Sequence, residues 1–308
     1  MLAKLQRLAL CLTLCGLSAC EVWLDVDNPQ CKTNNDCVGL FGRDYTCTSA
    51  GVCKAPETGD AGANANLPER WKCAGQEMPG FIDDPDMTVM ITMDAIDLAT
   101  LRVPAGIKGR VCSATDYECK SPLVTDVGPG VDGYFHYELP YGFEGIIKYT
   151  APDYVDSISM INRPYFESST TSGPALLTTD SRDELAERAG YPVVDGRCIV
   201  ILEMRDCSDK AGDGISFDPI TQTVDGVEEE ENPFYFEGAL PSRKLTSTQI
   251  SSLLAARREN RAVAGFSNIV PGFPSFTARL ESNQAEIAKV VVPVFVDTTT
   301  YVRVYAGY

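Results

Sequence analysis

The sequence predicts a mainly β protein: two tandem β-sandwiches with short inserted helices, preceded by a small disulfide-rich module. Three observations predict it. Short apolar alternations recur from residue 88 to residue 305, separated by turn formers. A pattern of glycine, aromatic, short strand, proline and glycine occurs twice. Four cysteines crowd residues 31–53, a stretch too short to bury a core without staples. The net charge of −17 argues against nucleic acid as a partner, because phosphate binding needs clustered positive charge. A single histidine removes the histidine-rich metalloenzymes.

The N-terminus reads as an address. Lys4 and Arg7 precede an apolar run, Leu8 to Leu14, that is too short to span a bilayer. Leu17-Ser18-Ala19-Cys20 then resembles a bacterial lipobox. The resemblance implies a signal peptide over 1–19, cleavage before Cys20, and acyl chains on that cysteine anchoring a 20–30 segment to the membrane. Glu21, where inner-membrane retention uses aspartate, favours the outer membrane of a Gram-negative envelope.

Nine cysteines follow Cys20, and an exported chain meets an oxidising compartment, so they read as disulfide formers. Cys31, Cys37, Cys47 and Cys53 form the module over 31–53, with three connectivities open. This short segment resembles the cysteine-rich modules that follow the lipobox in some surface lipoproteins. Cys112 and Cys119 are close enough to pair locally, as are Cys198 and Cys207. Cys73 is then odd: either free, or bridged to one of those four with another freed.

Small polar residues over 54–70 predict a flexible linker. In the first sandwich, 71–163, strands are predicted at Thr88–Ala95, Ile107–Cys112, Pro122–Val127, Tyr134–Leu139, Gly145–Ala151 and Asp156–Asn162. A helical connector fills 164–192, with Ser181 and Glu184 as a capping box and Gly190 as the stop. The second sandwich, 193–308, takes strands at Arg197–Met204, Ile215–Pro219, Phe234–Gly238, Gly265–Ile269, Ser275–Glu281, Ile287–Val296 and Thr300–Tyr305. Two stretches within it do not read as strand. Val227–Asn232 is an acidic loop, and Ser247–Asn260 a helix ending at Arg257, Arg258 and Arg261. Acids and arginines either meet or form separate solvated runs.

The repeated pattern runs Gly133-Tyr134 to Pro140-Tyr141-Gly142-Phe143 and Gly265-Phe266 to Pro271-Gly272-Phe273. It resembles the carboxypeptidase regulatory-like domain, a transthyretin-like sandwich of the broader Ig-like kind. That resemblance implies non-catalytic modules and carries over no catalytic residue.

Chemistry-bearing candidates are few. His136 alternates with the core residues of its strand and is expected at the surface, and no G-x-S-x-G elbow accompanies it. Transthyretin-like dioxygenases need two histidines, which the chain lacks. Asp83, Asp84 and Asp86 form one acidic cluster. Asp206, Asp209 and Asp213, beside Gly212 and Gly214, form a second that offers oxygens to calcium, although neither fits the twelve-residue calcium loop. Lys108, Lys148 and Lys289 are the strand lysines available for the isopeptides of related pilin-type sandwiches. Tyr141, Phe143, Tyr149 and Tyr154 offer either a carbohydrate platform or core packing.

The expectation is a non-catalytic, lipid-anchored envelope protein without cofactor, working in adhesion, scaffolding or ligand presentation toward an envelope protein or glycan. The alternatives are a carbohydrate- or nutrient-binding lipoprotein serving uptake, and a hydrolase using paired carboxylates.

Overall fold

The computed structural model describes residues 46–47, 53–54, 67–76, 87–114, 116, 118–242, 244–251 and 260–307. The chain divides into two compact units, Met1–Gly59 and Asp60–Tyr308. In the first, β1 (Thr46–Cys47) pairs antiparallel with β2 (Cys53–Lys54), and the register sets Cys47 opposite Cys53. Cys20, Cys31, Cys37, Asp83, Asp84 and Asp86 lie outside the described residues, as do the side chains of Cys47 and Cys53.

The second unit opens with a 3-10 turn, Glu69–Trp71. Then follow β3 (Thr88–Met93), β4 (Ile96–Asp97), β5 (Lys108–Ser113), β6 (Val124–Val127), β7 (Phe135–Pro140), β8 (Phe143–Thr150) and β9 (Ser157–Tyr165). The connecting stretch carries β10 (Ser169–Thr171), β11 (Ala175–Leu176) and α1 (Thr179–Ala189), so it is not helix alone. The remainder holds β12 (Cys198–Arg205), β13 (Ile215–Phe217), β14 (Ile220–Val224), β15 (Val227–Glu231), β16 (Phe234–Glu237), β17 (Leu240–Ser242) and β18 (Ile250–Ser251). It ends with β19 (Arg261–Ile269), β20 (Ser275–Leu280), β21 (Glu286–Val291) and β22 (Thr299–Tyr305).

Every strand expected from alternation has a counterpart, although the one expected over Ile287–Val296 ends at Val291. β7 shows why: Phe135, Tyr137 and Leu139 are buried while His136, Glu138 and Pro140 face out. A ten-stranded sheet runs β17-β16-β19-β12-β22-β9-β8-β5-β6, with β18 joined to β19. Its centre is parallel: β22 lies between β12 and β9 in the same direction as both. The last strand of the chain thus completes a sheet shared by residues from both halves. Two three-stranded sheets, β10-β3-β7 and β13-β20-β21, lie outside this path.

One face of the β12–β22–β19 region sends Val200, Leu202, Met204, Val302, Val304 and Phe266 into a core shared with Phe276, Leu280 and Ile287. A second core joins Val89, Ile91 and Met93 to Phe135, Tyr137, Val111, Ile147 and Tyr149. A third packs Leu185, Ala186 and Ala189 of α1 on Ile199, Phe234 and Val263.

Three local expectations are corrected. The acidic stretch Val227–Glu231 is a strand, hairpinned to β14 through Asp225-Gly226. Both turn residues have positive φ, +50° and +82°, as a two-residue hairpin turn requires. The alternation of the glutamates lets Glu228 and Glu230 face water while Glu229 and Glu231 turn inward. Ile250–Ser251, expected to open a helix, pairs antiparallel with Ala262 and Arg261, and residues 252–259 lie outside the described residues. The helix in the connector begins earlier than its capping box suggested. Thr178 is the N-cap, its Oγ1 accepting from the Ser181 N–H at 3.1 Å. Glu184 pairs instead with Arg188 one turn on, at 2.7 Å. Gly190 stops the helix in the left-handed region, as expected.

Candidate functional site: a pinned end and an open cleft

The approach segment 67–76 is fastened to one end of β12. Trp71, 1% exposed, enters the core beside Met204, so close to Gly212 that a Cβ there would lie 2.5 Å from the indole. Arg70 donates to Asp206 Oδ2 at 3.1 Å, to Asp213 Oδ1 at 2.5 Å and to the Ala211 carbonyl at 2.6 Å. The Cys207 N–H donates to the Arg70 carbonyl at 3.0 Å. A disulfide joins Cys73 to Cys207, with Cα atoms 5.7 Å apart. The C-terminal turn meets the same place: a Cβ on Gly307 would lie 2.4 Å from the Cys73 carbonyl oxygen.

This arrangement corrects two expectations. Cys207 bridges Cys73 rather than Cys198, because β12 carries Cys198 and Cys207 to opposite ends of the strand. Cys198 is a buried thiol that donates to the Phe295 carbonyl, and burial pushes it up to about 11. Cys112 and Cys119 pair with each other, as their spacing suggested. The acids Asp206, Asp209 and Asp213 do not assemble a cation site. Asp206 accepts from Arg70 and from the Ser208 and Lys210 N–H groups, and Asp213 is held by Arg70. Among the described residues no group of three histidine, cysteine or acidic side chains is placed to hold a metal.

The opposite end of the same strands carries an open cleft. β12 and β22 run in parallel toward the pinned end, so the start of β22 and the end of β19 lie beside Cys198. Eight residues of β12 separate the two ends by about 23 Å at roughly 3.3 Å per residue. Pro271, Gly272 and Phe273 follow β19, and Val294 and Phe295 precede β22. Gly272 and Val294 exchange two backbone hydrogen bonds of 2.9 Å. Against them stands the loop closed by Cys112–Cys119, with Asp116, Glu118 and Lys120. The cleft between measures about 610 Å3, within the size range of ligand pockets. Phe273, 59% exposed, is among the residues that line it. The rim is acidic but tied down: Lys120 pairs with Glu118. The N–H groups of Ser121 and Lys120 hold the Asp116 carboxyl below its ordinary value.

The other sequence candidates lie elsewhere. His136 is exposed, with Nε2 3.0 Å from Asp132 Oδ2 and Nδ1 3.2 Å from Thr92 Oγ1. Phe143 and Tyr149 are buried, which removes them as a carbohydrate platform, and Tyr141 and Tyr154 are half-buried at the edge of the same core. Lys108 and Lys289 are exposed, and Lys148 pairs with Asp156 at 2.9 Å. Arg261 is buried against Glu203 rather than meeting the acidic strand, whose Glu229 is reached by Arg197 at 3.4 Å. The cleft is hidden in the sequence because its two walls lie more than 150 residues apart. The recurrent Pro-Gly-Phe corner is its one visible signal.

No family model matches the chain, and no curated protein does. Among solved structures it is similar to a family 26 carbohydrate-binding module of Eubacterium rectale Amy13K crystallised with maltoheptaose. That likeness has 9% identity, covers 71% of this chain and 93% of that one, and has a TM-score of 0.25. The Bacillus anthracis TIE protein matches at 9% identity over 71% of this chain and 34% of that one, with a TM-score of 0.19. The shaft pilin SpaA of Lactobacillus rhamnosus GG matches at 8% over 71% and 97%, also with 0.19. At such TM-scores these likenesses carry no argument.

Proposed function

We propose that the chain is a non-catalytic, lipid-anchored envelope protein that presents a binding face on its second unit. The observation that carries this reading is the polarity of the second unit. The segment arriving from the N-terminus is fastened covalently at one end of the central strands, and the open cleft lies at the other. Disulfides at Cys73–Cys207 and Cys112–Cys119 suit an exported protein, since cytosolic thiols are kept reduced. The lipobox at Cys20 supplies the anchor, and Glu21 favours the outer membrane. On this reading the two halves are transthyretin-like modules of the carboxypeptidase regulatory-like kind, and adhesion, scaffolding or ligand presentation is their work.

The open cleft with exposed Phe273 in its lining favours a second reading, a carbohydrate- or nutrient-binding lipoprotein serving an uptake system. Protease shaving of intact cells, read by mass spectrometry, separates the two. Release of peptides from residues 87–307 supports surface presentation. Protection until the outer membrane is broken overturns it and leaves the periplasmic uptake reading. Replacing Cys20 with alanine is expected to move the chain from the membrane to the soluble fraction. A Cys20→Ala chain that stays on the membrane sinks the anchor.

A further inference from the structure

The three-stranded sheet β10-β3-β7 ends at β7, and the backbone shows which groups lie on the free side of that strand. The Met90 N–H donates at 3.0 Å to Ser168 Oγ, which precedes β10, so the backbone groups of Met90 turn away from β7. Alternation then turns those of Val89, Ile91 and Met93 toward β7. These three lie opposite Leu139, Tyr137 and Phe135, in a register without a shift. Tyr141 continues the series, its N–H donating to the Met87 carbonyl at 2.9 Å. The N–H and C=O groups of His136 and Glu138 therefore point away from β3. Among the described residues no strand pairs with β7 on that side. The side chains of His136 and Glu138 are exposed as well.

Other edges of the second unit are blunted. At β6, Asp126 has a φ of +44° and pairs with Arg110. β17 is three residues long with Pro241 at its centre, and β10 and β13 also span only three. β15 carries four glutamates. At β21 the Gly307 N–H donates to the Ile287 carbonyl. Short, charged, proline-bearing or covered edges keep other chains away, and a bare edge recruits them. β7 has neither proline nor bulge from Phe135 to Leu139.

We propose that β7 pairs antiparallel with β7 of a second copy of this chain, about a two-fold axis at Tyr137, joining two three-stranded sheets into one of six strands. The register follows from the residues. An axis at Glu138 sets that acid opposite itself and sets Pro140, which has no N–H, opposite His136. An axis at His136 sets Glu138 opposite Tyr134, whose carbonyl already accepts from the Gly130 N–H at 2.7 Å. The axis at Tyr137 sets His136 of each copy opposite Glu138 of the other, with four backbone hydrogen bonds and no acid facing an acid. So short a contact has the size of a transient encounter.

The proposal is independent of the anchoring and of the cleft. It is tested on the full chain by sedimentation velocity up to about 1 mM protein, where contacts of this size are populated, and by hydrogen exchange. The expected result is a monomer–dimer equilibrium in which the His136 and Glu138 amides gain protection as concentration rises. Glu138→Pro removes an N–H that β3 does not use. The melting temperature should hold while dimerisation falls at least about tenfold. His136→Glu, which sets acid opposite acid, should weaken dimerisation, and His136→Lys should strengthen it. Should the proline variant not fold, His136→Glu carries the same readout. A chain that stays monomeric throughout that range overturns the proposal. So do dimers that Glu138→Pro, or in its place His136→Glu, leaves intact.

Discussion

Glu231 is a carboxyl whose ionisation the fold alters. It lies on the inward face of β15, opposite Ile220, with Glu229 two residues before it and Arg197 as the cation within reach. Burial and the Glu229 charge push its carboxyl up from 4.5 to about 7, and Arg197 only partly opposes them. The folded pKa lies above the unfolded one, so the folded state holds the extra proton between those values. Stability from this group is complete below about pH 4.5 and is lost as the pH rises to about 7. Glu231→Gln should therefore stabilise the protein at pH 8 and do little at pH 4. Half-exposure reduces the gain to about 1 kcal/mol, or about 2–4 °C in melting temperature. Equal melting shifts at both pH values would show that the carboxyl is not strained. Glu203 behaves in the opposite sense. Burial would raise it, but Arg303, Arg261 and Arg205 outweigh burial and hold it below its ordinary value.

At the scale of elements, α1 shows how a near-miss in sequence becomes a testable distinction. Ser181 and Glu184 have capping-box spacing, yet the chain turns into the helix at Thr178. Three residues earlier suffices, because Leu177 must enter the core beside Leu185 and Ala189. Thr178→Ala should cost about 1 kcal/mol in a denaturant titration, the usual effect of a lost N-cap, and Ser181→Ala clearly less. The reverse order would return the cap to Ser181. The β14–β15 hairpin teaches a related lesson. Asp225-Gly226 between alternating residues is a strong hairpin signal, and four adjacent glutamates mask it. In a hairpin, alternate glutamates point to opposite sides, so a run of acids is compatible with a strand.

The whole second unit is organised by its final strand. β22 pairs with β9 on one side and β12 on the other, so the two halves of the chain meet along backbone hydrogen bonds. The same seam holds the buried arginines and Glu203. The approach segment packs Trp71 into the later core, more than 130 residues away from Met204 in sequence. A fragment of residues 87–163 therefore keeps the part of β9 that pairs with β22, loses that neighbour and exposes an unpaired edge, a known route to association. It should be aggregated or unfolded by circular dichroism and size exclusion, whereas residues 67–308 should unfold in one transition. A monomeric, cooperatively folding 87–163 fragment would show that the first half stands alone.

Local physics makes much of this protein legible in its sequence. Alternation depends on neighbours two residues apart, so it reveals nearly every long strand, and it places His136 on the outer face of β7. Seven residues of separation are enough to bring Cys112 to Cys119, and a glycine with left-handed freedom is enough to end α1. None of these needs a distant partner. The Cys73–Cys207 bridge, the open cleft and the charged seam each join residues far apart in sequence. Their charges and thiols look like ordinary surface residues in sequence. Arg261, Arg303 and Glu203 become buried partners only when β19, β22 and β12 align, and that alignment is decided by the collapse of both cores around one shared sheet.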